Sequence, residues 1–258
     1  MSQTPELLHP TPRTAATQRP GPPEGCANAV PGWNLRKRLP PHPLAERFTA
    51  VNSADNTPAL LYRIGPGNNP APTRERALRY LTSCRHPHLQ RIERITSDAE
   101  GSTWIIAEYP GSHSGLLTLA ELLSHKPTGT LSEREVWHTT SHLLAALDEL
   151  HQQSIAHGTI RADDILVDPR GRVLIELPGA NNALHPTSLP LDHTIREDLR
   201  SVARLVYELL TGIPCNDERL PVKKAIGFRG RRWDRWIGLA LEPAGGFATA
   251  REAIARLG

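Results

Sequence analysis

No hydrophobic period runs through residues 1 to about 31, where Pro, Thr, Gln and Gly dominate. Such a stretch cannot bury enough apolar surface to offset the entropy of ordering. Residues 1–31 are therefore expected to be a disordered tail, with a short docking segment for a partner as the alternative. Order is expected from Trp33. The run Ala59-Leu60-Leu61-Tyr62-Arg63-Ile64 reads as a buried strand introduced by Asn56-Thr57-Pro58. Arg74 to Cys84 reads as a helix, and Thr103 to Tyr109 as a second strand. A long helix is predicted from about Glu133 to Gln152. Ser132 and Glu135 form a capping box at its start, and Val136, Leu143, Leu144, Leu147 and Leu150 share one face. Two short strands follow around the turn Asp168-Pro169-Arg170-Gly171, the second at Val173-Leu174-Ile175. Asp198 to Leu210 reads as an apolar helix, with Gly212 as its C-terminal stop. Two last helices are expected between Trp233 and Leu257. No internal repeat is visible.

Composition narrows the class. The chain has 258 residues, 38% hydrophobic and 22% charged, which suits a soluble domain with a sizeable core. A net charge of +3 does not by itself imply nucleic acid. Cys26, Cys84 and Cys215 are far apart and odd in number, so reduced thiols are expected rather than a disulfide framework. No apolar run approaches the ~20 residues that span a bilayer. The N-terminus lacks the layout of a signal peptide, and a cytoplasmic location is expected. His138 and His142 lie i, i+4 without the acid of a zinc protease helix, and are read as surface residues. A basic, aromatic stretch runs from Lys223-Lys224 through Phe228 to Trp236. It could meet an acidic partner or RNA. The spacing of Trp236, Ile237, Ala240 and Leu241 instead makes the tryptophan core and the arginines a solvated helix start, so nucleic acid is not expected.

The segment from His157 to Val167, His-Gly-Thr-Ile-Arg-Ala-Asp-Asp-Ile-Leu-Val, resembles the protein-kinase catalytic loop H-R-D-L-K-P-E-N-I-L. Other pieces are similar to kinases in the right order. His86-Pro87-His88-Leu89 resembles the H-P-N-I turn after the αC helix. Asp198-Leu199-Arg200-Ser201 through Glu208-Leu209-Leu210-Thr211-Gly212 resembles the αF pattern. The resemblance covers roughly residues 33–258. It implies an α+β, two-lobed kinase-like fold, with a small, mostly-β N-lobe over 32–109 and a larger helical C-lobe over 110–258. It also resembles the bacterial Ser/Thr kinases, in a degenerate form.

What the resemblance implies for chemistry can be checked part by part. The catalytic-base Asp falls on Thr159, whose hydroxyl does not ionise near neutral pH. The loop lysine falls on Arg161, and the metal-binding Asn on Asp164. The glycine-rich loop falls on Leu39-Pro40-Pro41-His42-Pro43-Leu44-Ala45, which has no glycine and three prolines without an N–H to give. It is read as a rigid lobe edge. Lys37, Lys126, Lys223 and Lys224 are the only lysines, so the strand lysine is missing in any register. Its place falls on Tyr62, or on Arg63 after a one-residue shift. Its helix partner falls on Glu75 or Arg74. The metal-binding acid of D-F-G falls on Glu176 in one register and Leu177 in the other. No A-P-E motif follows, and Gly246 stands where the late arginine of the family would be. Asp198 and His157 remain as fold residues, and Asp198 is expected to bond the loop backbone and the histidine.

The expectation is a pseudokinase that binds a protein partner as a scaffold or allosteric regulator, with no cofactor, no membrane and a blocked inter-lobe cleft. The alternative is an atypical group-transfer enzyme, using ATP and Mg²⁺ at a site rebuilt from Glu176, Asp164 and Arg161.

Overall fold

The computed structural model describes residues 30–67, 70–112, 115–243 and 245–257. The tail expected over 1–31 thus lies, up to residue 29, outside the described residues.

Five antiparallel strands form the first lobe: β1 (Trp33–His42), β2 (Ala45–Asn52), β3 (Pro58–Ile64), β4 (Ile92–Ser97) and β5 (Thr103–Glu108), in the order β1-β2-β3-β5-β4. Side chains alternate between the two sheet faces. Leu61, Phe48, Trp104 and Ile106 cover the outer face. Leu60, Tyr62, Ile105 and Ala107 cover the face turned toward the second lobe. The expected strand at 59–64 is β3, and the one at 103–109 is β5.

Helix α1 (Ala71–Leu78) starts three residues before the expected Arg74. Pro72 fits its first turn because an N–H there has no intrahelical acceptor. The helix then tightens into a 3₁₀ turn over Arg79–Thr82 rather than continuing to Cys84.

The second lobe opens with α2 (Leu119–Ser124) and α3 (Glu133–Gln152), both started by complete capping boxes. A two-stranded sheet, β6 (Ile165–Val167) with β7 (Val173–Ile175), follows a 3₁₀ turn at Ala162–Asp164. Then come α4 (Ala180–Leu184), α5 (Leu191–Thr211), α6 (Val222–Ile226), α7 (Gly230–Ala240) and α8 (Ala250–Ala255). The α3 stripe packs with Val202, Val206 and Leu209 of α5 and with Trp233 and Trp236 of α7.

Helix α5 begins at Leu191, seven residues before the expected Asp198. Pro190 sets its N-cap, and its first turns face solvent, so no apolar period announces them. Its end is as expected: Gly212 takes φ 71°, a left-handed cap that glycine adopts without Cβ strain. Among the described residues no helix is long and apolar enough to cross a membrane.

An inter-lobe carboxylate joint

The β1–β2 hairpin turns tightly, with His42 paired to Ala45. The proline-rich segment expected to form a stiff edge is thus largely strand, and its tip points into the cleft. His42 is buried, and its Nε2 lies 3.4 Å from Asp164 Oδ1. Arg47 and Tyr62 are direct partners across β2 and β3, on the face turned toward the second lobe. Both reach Glu176, the residue that follows β7. Arg47 Nη2 donates to Glu176 Oε2 at 2.7 Å and to the Asp163 carbonyl at 3.1 Å. Tyr62 Oη donates to Glu176 Oε1 at 2.7 Å, and Gln90 Nε2 donates to Tyr62 Oη at 2.7 Å.

Glu176 and Tyr62 are both wholly buried. Burial pushes the Glu176 pKa up, and the Arg47 guanidinium beside it only partly offsets this. Burial, with the Glu176 carboxylate next to it, holds the Tyr62 phenol well above its ordinary value. Asp164 goes the other way. Its burial alone would raise it, but the His42 ring, His157 and Arg161 together hold it below the usual carboxylate range. Its Oδ2 accepts the Arg161 backbone N–H at 2.9 Å and so caps the 3₁₀ turn. The Arg161 side chain is mostly exposed, with Nε 3.5 Å from the same oxygen.

The two registers left open by the sequence have distinct places. Tyr62 points inward, while Arg63 points outward to Glu46 and Glu100. Glu176 faces the joint. Leu177 turns with φ 42°, a left-handed angle that costs a side-chain-bearing residue about 1–2 kcal/mol. It packs with Leu78, Leu81 and Ile92 in a cluster that spans both lobes, and its N–H donates to Gln90 Oε1 at 3.3 Å. Thr159 is exposed to solvent. Neither helix candidate joins the site: Arg74 bonds Thr103 Oγ1 and Glu75 accepts from Ser97.

Asp198 is fully buried on α5 and holds the loop by its backbone. Its oxygens accept the N–H groups of His157 at 2.8 Å and Gly158 at 2.7 Å. His157 thus meets Asp198 through its backbone, and a histidine ring not foreseen from the sequence joins it: His151 Nε2 lies 2.8 Å from Asp198 Oδ2. His157 is buried against this loop, and burial lowers its pKa. His142, read from sequence as a surface residue, is half-buried and stacks on His88 with ring centroids 3.8 Å apart, while His138 is exposed. Among the described residues no cluster of three or more His, Cys, Asp or Glu side chains could hold a metal ion.

Sequence reading missed Arg47, His42, Gln90 and His151. For Arg47 a signal existed, since alternation places it on the same β2 face as buried Ala45. The other three carry no local signal. They are polar residues whose partners lie far along the chain.

The two lobes, the antiparallel five-stranded sheet and the Asp198-anchored loop define a protein-kinase-like α+β fold, and the curated proteins similar to the chain are protein kinases. Mouse eIF-2-alpha kinase GCN2 is 29% identical over 162 residues, 62% of this chain and 8% of that protein. Mouse ribosomal protein S6 kinase-like 1 is 26% identical over 214 residues, 74% of this chain and 36% of that protein. Rat NUAK family SNF1-like kinase 2 is 27% identical over 110 residues, 43% of this chain and 16% of that protein. The matches thus span well under half the length of these relatives. No family model matches the chain.

Proposed function

We propose that this is a pseudokinase: a kinase-like domain that works by binding a protein partner, as a scaffold or allosteric regulator, and not by transferring phosphate. One observation carries the reading. Both carboxylates of the joint are engaged by the protein's own groups: Glu176 accepts from Arg47 and Tyr62, and Asp164 accepts the Arg161 N–H with the His42 ring 3.4 Å away. In a working kinase these positions hold metal ions on the nucleotide phosphates. The residues present do not fit MgATP. The strand-lysine position carries a phenol that itself bonds Glu176, and the phosphate-cradling loop is a tight hairpin with Pro40, Pro41 and Pro43. The exposed Thr159 hydroxyl is no base near neutral pH. With the lobes latched by their own side chains, the cleft is a structural joint and the outer surfaces are free for a partner.

The closeness of Glu176 and Asp164 favours a second reading, a group-transfer site rebuilt from these acids and Arg161. The Glu176 N–H bonds the Asp164 carbonyl at 2.9 Å, so the two residues are neighbours. That site would require Arg47 and His42 to leave. Thermal shift with ATP, with and without Mg²⁺ or Mn²⁺, separates the two, because a ligand bound only by the native state raises the melting temperature. The pseudokinase reading expects no shift. A metal-dependent shift that Glu176→Ala abolishes would establish the rebuilt site instead.

A further inference from the structure

Helices α2 and α3 and the β6–β7 hairpin enclose a cavity of about 360 Å³ in the second lobe, apart from the joint. We propose that this cavity is a ligand site for an uncharged, ring-sized apolar molecule that carries one hydroxyl group.

Thr139 carries the argument. It lines the cavity from α3 and is only 6% exposed, yet its hydroxyl makes no hydrogen bond among the described residues. A helical threonine commonly turns its hydroxyl back onto the carbonyl one turn earlier. The next two residues do so: Thr140 Oγ1 donates to the Val136 carbonyl at 2.7 Å, and Ser141 Oγ to the Trp137 carbonyl at 2.8 Å. Thr139 forgoes that bond. Its oxygen also keeps accessible surface, so a molecule in the cavity can reach it. Polar groups this buried are nearly always satisfied, and a ligand hydroxyl would supply the missing partner.

His142 is a second, independent polar group on the same wall, three residues along α3 and so on the same helix face. Its ring stacks on His88, with centroids 3.8 Å apart, and His88 Nδ1 lies 3.0 Å from the Val173 carbonyl, which holds the pair in place. The His142 ring nitrogens have no hydrogen bond among the described residues, and they too keep accessible surface. Burial, and then His88, His138 and His86, lower its pKa to about 4, so the ring is uncharged at neutral pH. An uncharged imidazole offers one donor and one acceptor, which suits a hydroxyl partner.

The remaining walls decide charge and shape. Glu135 already holds Lys126 at 2.8 Å and the Ser132 N–H at 2.7 Å, Arg172 lies 3.0 Å from Asp168, and Arg170 is exposed to water. A charged ligand would lose hydration in the cavity without meeting a free counter-charge there. Leu119, Leu122, Leu131, Val167 and Val173 supply aliphatic surface, and the volume falls in the range of small-molecule sites, about 300–1,000 Å³. Water would satisfy the Thr139 hydroxyl, but those side chains favour an apolar body in its place.

The test uses the full chain with ¹³C-labelled methyl groups, titrated with phenol. Toluene is the probe without a hydroxyl, and benzoate the charged one. Phenol is expected to shift the methyl resonances of Thr139, Val167 and Val173 saturably, and to bind more tightly than either control. Thr139→Val keeps the shape and removes the hydroxyl. It should weaken phenol about three- to tenfold, the range of one hydrogen bond, and leave toluene unchanged. Its melting temperature should not fall, since no bond within the fold is lost. Ser141→Ala, whose hydroxyl is bonded to the Trp137 carbonyl, should leave phenol binding unchanged. Linear phenol titrations would overturn the proposal, as would toluene or benzoate binding as tightly as phenol. So would a Thr139→Val variant that binds phenol as tightly as the parent, or one that melts at a lower temperature, because its hydroxyl would then have a partner inside the protein.

Discussion

Replacing Arg47 by Ala tests the joint at its most exposed weakness, which is charge. The guanidinium is the cationic partner of Glu176, at 2.7 Å, and both side chains are buried. Removing one member of such a pair strands the other, at a cost of about 3–5 kcal/mol. That is a large share of the roughly 5–15 kcal/mol that hold a domain folded. Glu176 can escape by taking up a proton, which gives the loss a pH signature. Burial already raises its folded pKa, and without Arg47 the rise should be greater. A carboxyl with a raised folded pKa contributes stability that is fully present below the unfolded value, near about 4.3, and lost as pH rises through the folded value. The Arg47→Ala deficit should therefore be largest near neutral pH. It should shrink on acidification by up to about 1.4 kcal/mol per pH unit. Urea denaturation of both proteins at several pH values between about 5 and 8 measures this directly. Replacing both partners by apolar residues, Arg47→Met with Glu176→Leu, should remove the pH signature but recover only part of the loss, since the buried Tyr62 hydroxyl is then left without its acceptor. A deficit below about 1 kcal/mol, as for an exposed pair, or one that does not change with pH, would refute the reasoning.

Tyr62→Phe removes the donor to Glu176 and the acceptor for Gln90. It should cost about 1–3 kcal/mol by the same denaturation assay, because two buried groups lose their partner. Asp198→Asn should loosen the loop: an amide cannot offer two anionic acceptors to the His157 and Gly158 N–H groups, so amide exchange at both positions should accelerate before global unfolding. Gly179→Ala meets two obstacles, a φ of 74° and a Cβ placed 2.7 Å from both Ile155 Cγ2 and Tyr80 Oη. A loss of about 2 kcal/mol or more in thermal or urea unfolding is expected. His142 has its pKa lowered to about 4 by burial and then by His88, His138 and His86. A histidine with a depressed folded pKa contributes stability present above its unfolded value, near about 6.5, and lost as pH falls toward the folded one. His142→Phe should flatten the stability profile between those limits.

The elements were legible where one chain segment carried its own signal. Helix α3 was read to its ends because a capping box and an apolar stripe are both local. Gly212 marked the end of α5 for the same reason. Its start was hidden, since Leu191 to Glu197 are partly or wholly exposed and have no period to show. The joint was legible only by halves. Resemblance singled out Tyr62, Asp164 and Glu176, but their partners are set by tertiary contact: Arg47 lies 129 residues from Glu176 along the chain. The second histidine at Asp198, His151, was hidden on similar grounds. Two histidines, 151 and 157, flank the loop entry, and only the packing of α3 against α5 brings the first one's ring to the carboxylate.

A buried, latched joint also bears on how such a domain could transmit a signal. Lobes joined only by a linker move independently, whereas here His42, Arg47 and Tyr62 converge on two acids of the other lobe, and Gln90 bonds Tyr62 and the Leu177 N–H beside them. Opening the cleft would expose Glu176 and Arg47 to water, and solvation would return much of the lost attraction. The joint is therefore held less by the net strength of its ion pair than by the apolar cluster of Leu78, Leu81, Ile92, Leu166, Leu174 and Leu177 around it. The polar contacts fix which side chains meet, and the leucines supply most of the energy. On the pseudokinase reading, a partner that alters the relative placement of the lobes has to work against that apolar cluster. Small hydrophobic truncations such as Leu177→Ala should then change lobe opening more than loss of the His42–Asp164 contact does.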